Sequence, residues 1–214
     1  MVIIGIILLP FIYTMFLLWC RMDFKNPQNQ SGKPLCSLTE IAVVAVSEAA
    51  VLRVWYMGGM EGFHDLQFTL LYVMLAGLTV FCVTDLRERV VPNKVLLVLL
   101  LLFVLILGLY SVTDMNAVAK KLPAIVSGML FTAICFGLGY LLSRKNMGAG
   151  DVKLALVMGL YLTGEYVVGA VLYGCLAGAA YAILQLMRKK LSKNDAIPFV
   201  PFLYMGTVIR YWMG

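Results

Sequence analysis

Charge is scarce in this chain. Only 13% of its 214 residues are Asp, Glu, Lys or Arg, about half the ~25% that a soluble domain carries to face water. Histidine occurs once, at His64, in a stretch expected to be a solvated outer loop. The five cysteines, Cys20, Cys36, Cys82, Cys135 and Cys175, include no C-x-x-C pair. Neither a disulfide framework nor a zinc ligand set is legible in them, and the expectation is no metal and no cofactor. No basic residue precedes the apolar stretch Met1 to Trp19 and no small-residue cleavage site follows it. Both are marks of a signal peptide, so this stretch is expected to be a retained first helix. No 20–50 residue repeat and no low-complexity segment occurs.

What the chain has is apolar length. Hydrophobic residues make up 62% of it, with a mean hydropathy of +0.93, so much of its surface must face lipid. A spanning helix takes roughly 20 apolar residues. The runs predict helices at about 2–19, 39–57, 65–85, 94–112, 122–143, 151–163, 164–187 and 199–213. The fold class is therefore an all-α polytopic membrane helical bundle of about seven or eight transmembrane helices. It is read as one domain, 1–214, with a first helix and short loop over 1–38 and a helical core over 39–213. Glu48 and Arg53 interrupt the second run, and Gly164 is the only punctuation between the sixth and seventh.

The formal net charge of +6 falls in short loops beside apolar runs. Arg21, Lys25 and Lys33 form one group, Arg87, Arg89 and Lys94 the next, then Arg144 and Lys145, then Arg188, Lys189, Lys190 and Lys193. Alternation of this kind is the positive-inside pattern. It places these loops on the cytoplasmic side and leaves no need for a nucleic-acid partner. Lys120 and Lys121 dissent from it, and long side chains of this kind can snorkel.

Ionisable residues at membrane depth are costly and tend to be functional. Asp85 ends the third run and Asp151 opens the sixth, both on the cytoplasmic side at similar depth. Two close carboxylates cannot both ionise, so they share a proton. One can then take a proton from water while the other polarises a carbonyl, which is aspartic peptide hydrolysis. Gly148 and Gly150, just before Asp151, suit close backbone approach and dihedrals closed to other residues. A plainer account exists for each aspartate alone, as a helix cap or a solvated headgroup residue.

The segment Gly148-Ala149-Gly150-Asp151-Val152-Lys153-Leu154 resembles the G-x-G-D-x-K-L motif of type IV prepilin peptidases. Asp85-Leu86-Arg87, followed by Val91-Pro92-Asn93, is similar to that family's first aspartate segment. Ile197-Pro198-Phe199-Val200-Pro201-Phe202-Leu203 resembles its late I-P-F-G-P-F-L, with Val200 in place of glycine. Ser37-Leu38-Thr39-Glu40 resembles a segment that carries a glutamate before the second helix. The matches keep family order over about residues 37–205. The resemblance implies an endopeptidase that cuts the basic leader from prepilins or pseudopilins. Cleavage would follow a glycine, ahead of the substrate's hydrophobic helix, at the cytoplasmic membrane face. It implies Asp85 and Asp151 as catalytic residues, with Gly148, Gly150, Lys153, Pro92, Asn93, Pro198 and Pro201 shaping the site.

Forms of the family that also methylate the new N-terminus carry two C-x-x-C pairs in a large loop after the first helix. Here that loop is short and Cys20 and Cys36 are not so paired, so methyl transfer is unsupported by the sequence. The bifunctional form stays as one alternative. The other is a non-catalytic scaffold or small ion transporter, since an intramembrane aspartate pair also suits ion passage. Lys153 either biases the aspartates toward ionisation or snorkels to headgroups. Pro198 and Pro201 either break the chain before the last helix or shape the site.

Overall fold

The structure is a computed structural model, and it describes residues 66–143, 148–188 and 198–213, with Ala45 and Ala49 also helical. The helix expected over 2–19, most of that over 39–57, and with them Cys20, Cys36, Glu48, Arg53 and His64, lie outside the described residues. Among the described residues there is no strand. Helix α1 covers Leu66–Glu88, α2 Asn93–Thr113, α3 Met115–Leu142, α4 Ala149–Met187 and α5 Val200–Met213. Leu66–Leu86, Asn93–Thr113, Met115–Leu142 and Tyr166–Met187 are each long and apolar enough to cross a membrane. The chain is an all-α, multi-pass membrane bundle.

The spans are not equivalent. In α1, 72% of the apolar window is buried inside the bundle, against 22% in each of the other three. Leu97, Leu101, Val104 and Leu105 of α2 and Leu130, Ile134 and Leu138 of α3 stay exposed. In a bundle with so little charge these faces meet lipid. The core lies between α1 and the first half of α4. Met74, Leu78 and Phe81 pack there with Leu154, Met158, Tyr161 and Leu162, all fully buried. The Tyr161 hydroxyl reaches the Leu99 carbonyl of α2 at 2.5 Å, which satisfies the one polar atom of that side chain.

Helix α4 is two helices merged across a reversal at Thr163 (φ 60, ψ 170). Gly159 lies against Gly128 and Thr132 of α3, and Gly164 against Ser127 and Ala124. The first half therefore runs antiparallel to α3. The second half returns along α5: Tyr166 meets Tyr211, and Tyr181 meets Phe202, at centroid separations of 6.2 and 5.4 Å. The break expected at Gly164 is real, but the left-handed residue is its neighbour. Backbones close to contact at Gly128 and Gly159, and again where Gly206 meets Ala170 and Gly174. Small residues at membrane helix contacts permit such approach.

Helix α3 begins at Met115, seven residues before the expected start. Asp114 caps it, its side chain accepting the Ala117 N–H at 3.0 Å, and Pro123 sits inside it. Lys120 and Lys121 thus belong to the helix. Lys121 Nζ donates to Gln67 Oε1 at 3.2 Å, and Gln67 Nε2 donates to Thr163 Oγ1 at 3.3 Å. Lys121 is held by a buried polar pair at the end of the bundle remote from both aspartates.

Candidate active site

Asp85 lies one turn from the end of α1. Arg89 stops that helix with a left-handed backbone (φ 54), its N–H bonding the Asp85 carbonyl at 3.0 Å. The Asp85 side chain turns inward and is only 5% exposed, so it is not a solvated headgroup residue. Across the bundle, the turn at Pro198 and Phe199 starts α5. The Phe199 carbonyl takes the N–H groups of Phe202 and Leu203 at 3.1 and 3.3 Å, and Pro201 has no N–H to give. Val200, first residue of α5, keeps an N–H with no partner in its own helix. That N–H donates to Asp85 Oδ2 at 3.1 Å. Asp85 is a cap after all, but of a helix 115 residues further along the chain.

Asp151 stands in the first turn of α4. Its N–H bonds the Gly148 carbonyl at 3.1 Å, and Gly148 holds the N-cap position with no side-chain bond. The capping role considered for Asp151 is therefore taken by Gly148. Gly148 adopts an ordinary extended backbone (φ −64, ψ 130), and neither it nor Gly150 needs a positive φ. Space is the reason for both. A Cβ on Gly148 would lie 3.2 Å from Asp151 Oδ2, and one on Gly150 3.0 Å from the Val91 Cβ. The expectation of special dihedrals is corrected on this point.

Pro92 caps α2, accepting the Val95 N–H at 3.2 Å. Asn93 follows, and its Oδ1 accepts a bond from Lys153 Nζ at 3.2 Å. The starts of α2 and α4 are tied together at this point.

One cavity of about 890 Å³ joins these residues. Its polar side carries Asp85, Arg89, Asn93, Asp151 and Lys153, with Gly148, Gly150 and Pro198 along the rim. Its other wall is Cys135, Phe136 and Gly139 of α3, Val171 and Cys175 of α4, and Phe199. Pro92 and Pro201 do not line it and act from behind, by fixing helix starts. The α3 and α4 wall was not legible in the sequence: its members carry no ionisable carboxylate or amine, and their helical spacing matches that of lipid-facing neighbours.

Asp151 lies outside the four apolar spans. Burial, and after it the Asp85 carboxylate nearby, push its carboxyl up to about 6. The Asp85 carboxylate thus acts on the Asp151 carboxyl, and two carboxyl groups that interact in this way can share one proton. Such a pair has both a proton acceptor and a proton donor available at once.

The family model for the type IV leader peptidase family matches residues 72–183, a segment that contains both aspartates. The chain is 27% identical over 197 residues to the prepilin leader peptidase/N-methyltransferase of Xanthomonas campestris pv. campestris, covering 91% of this chain and 66% of that protein. It is 29% identical over 142 residues to the protein of the same name from Bacillus subtilis, covering 66% of this chain and 54% of that one. The chain thus spans between about half and two thirds of the length of these relatives. No solved structure is a significant match.

Proposed function

Because this chain belongs to the type IV leader peptidase family, we propose that it is a membrane-embedded aspartic endopeptidase acting on prepilins or pseudopilins. It removes the basic leader after a glycine, next to the substrate's hydrophobic helix, in the bacterial inner membrane. The observation that carries this reading is that Asp85 and Asp151 line one cavity.

The chemistry follows from that placement. One carboxylate removes a proton from a water molecule, whose oxygen bonds the scissile carbonyl carbon. The other carboxylic acid gives its proton to the carbonyl oxygen, forming a neutral gem-diol. The first group, now protonated, passes its proton to the amide nitrogen as the carbon–nitrogen bond breaks. The second recovers a proton from a gem-diol hydroxyl as the carbonyl reforms. A carboxylic acid and an amine leave, and the pair is restored. Each transfer is general acid–base catalysis and needs no covalent intermediate.

Both aspartates sit at one end of the bundle, within a turn of helix ends. A transport site is expected near the bilayer midplane, so the position favours a membrane-face hydrolase. The cytoplasmic face is assigned from the Lys and Arg bias of the sequence. The relatives' names also include N-methyltransferase, but the absence of any C-x-x-C pair in this sequence supports assigning cleavage alone.

The test is cleavage of a candidate prepilin in membranes. Asp85→Asn and Asp151→Asn should each lower the rate by at least about 10³-fold while remaining folded, since one carboxyl cannot serve as both acid and base. Substantial cleavage by either folded variant would sink the mechanism.

A further inference from the structure

The segment Pro198-Phe199-Val200-Pro201 has no part in the proton transfers above, yet it delivers an amide to Asp85. We propose that the backbone N–H of Val200 positions Asp85 and makes it the proton acceptor of the pair, leaving Asp151 to carry the proton. This rests on the peptidase reading and extends it from two interchangeable carboxyls to two distinct ones.

The two environments differ in what reaches each carboxylate. Asp85 Oδ2 accepts the Val200 N–H at 3.1 Å, at the amino end of a 14-residue helix. A helix amino end favours an anion through both its free N–H groups and its dipole. Asp85 also lies near the carboxyl end of its own helix, where the dipole opposes a negative charge, so α5 supplies a compensating positive end. Pro201 sharpens the arrangement by leaving Val200 the free donor next to the helix start. Asp151 also occupies a first turn, but among the described residues its carboxylate has no hydrogen bond or ion pair. Burial and the neighbouring carboxylate act on it unopposed, which is why its carboxyl is pushed up to about 6. The other charged or titratable groups on this cavity are Arg89 at the end of α1, Lys153 on α4, Cys135 on α3 and Cys175 on the returning half of α4. Cys82 lies one turn before Asp85 on α1. Lys153 is bonded to Asn93.

Held by the amino end of α5 and lining the cavity, Asp85 is placed to take a water proton. The step is the one written above, with Asp85 as the group that first accepts a proton and Asp151 as the group that first donates.

The donor can be removed without removing the side chain. Val200→Pro suits the first position of a helix, where proline's fixed φ is favourable, but it has no N–H. Replacing the residue-200 amide with an ester, by incorporating α-hydroxyisovaleric acid, removes the same N–H with almost no change of shape and serves if the proline variant does not fold. Either change should move the acidic limb of the kcat/KM profile up by about one pH unit and lower kcat about tenfold or more at similar KM. Val200→Ala, which keeps the N–H, should hold the limb in place. A limb unmoved by the ester, or moved equally by Val200→Ala, overturns the proposal.

A second readout needs no cleavage, so it stands or falls apart from the peptidase reading. At pH 5 the substrate-free protein should show an infrared band of a protonated carboxyl that is lost in Asp151→Asn and kept in Asp85→Asn. Any other pattern overturns the assignment of roles. Failure of the wild-type protein to cleave any prepilin, with this infrared pattern intact, would instead remove the peptidase reading.

Discussion

Lys153 Nζ lies 3.2 Å from Asn93 Oδ1, so the cation two residues after Asp151 points toward the start of α2. The sequence left two readings of this cation open, charge support for the aspartates or snorkelling to headgroups. Burial and the Asp85 carboxylate raise the Asp151 carboxyl, while the Lys153 ammonium is turned to Asn93. Lys153→Gln should therefore leave the acidic limb of the cleavage pH profile within about 0.3 units of wild type. The bond is exposed, so the loss of stability should stay below about 1 kcal/mol. Steady-state kinetics across pH and a thermal melt check both, and a limb shifted by a full unit would return Lys153 to an electrostatic role.

Asp151 also makes stability depend on pH. Its carboxyl is raised from 3.8 to about 6 in the folded protein, so between those values the native state holds a proton that the unfolded chain has released. Stability from this group is complete below about pH 4 and is lost as pH rises through about 6. Asp151→Asn removes the penalty of a buried charge. At pH 7 it should melt about 2–4 °C higher than wild type, and the difference should vanish near pH 4. Melts at the two pH values in one detergent decide it; a gain that is equal at both would mean that ionisation is not its source.

Gly206 and Gly108 make a matched pair. A Cβ on Gly206 would collide with the backbone of Ala170 and Gly174, whereas one on Gly108 meets nothing within 4 Å. Gly206→Ala should force α4 and α5 apart and cost about 1–3 kcal/mol or more. Gly108→Ala, in a helix interior with open space, should be neutral or stabilise by up to about 1 kcal/mol. Thermal melts of the two variants side by side give the sign of each, and equal effects would contradict the close approach.

Thr163 offers a test by inversion. Its backbone (φ 60, ψ 170) lies in a region open almost only to glycine, at a cost of about 1–3 kcal/mol. In an ordinary helix alanine exceeds glycine by up to about 1 kcal/mol. Here both substitutions lose the bond from Gln67, but only glycine relieves the backbone. Thr163→Gly should be the more stable of the two, and the normal order would show that the reversal carries no strain.

Much of this was legible in the sequence for physical reasons. Apolar runs must become helices in lipid, so α1, α2 and the returning half of α4 fell close to their expected limits. Asp85 and Asp151 stood out because charge at membrane depth is expensive, and the structure sets both on one cavity. Gly164 marked the reversal to within one residue. Other features depend on space and leave no local trace. The early start of α3 was hidden because Lys120 and Lys121 look like loop cations until Gln67 is seen to receive one of them. The Val200 N–H belongs to every residue type except proline, and its partner is 115 positions away. Cys135, Phe136 and Val171 read the same whether they face lipid or a cavity. Residues 1–65, apart from Ala45 and Ala49, fall outside the described residues, as do the readings placed there.

The half of α4 that carries Asp151 spans 149–163 before the chain turns back, a rise of about 22 Å against a hydrocarbon core of about 30 Å. Its inward side chains, Leu154, Met158, Tyr161 and Leu162, are completely covered by protein. A helix that meets protein along most of its length has no need to match the membrane in thickness. Bilayers of shorter or longer acyl chains will press on the outer faces of α2 and α3, which adjust by tilting at a modest cost. The helix that holds Asp151 is insulated from that pressure, so the spacing of the two carboxyls is set by side-chain packing and stays constant as the surrounding lipid changes.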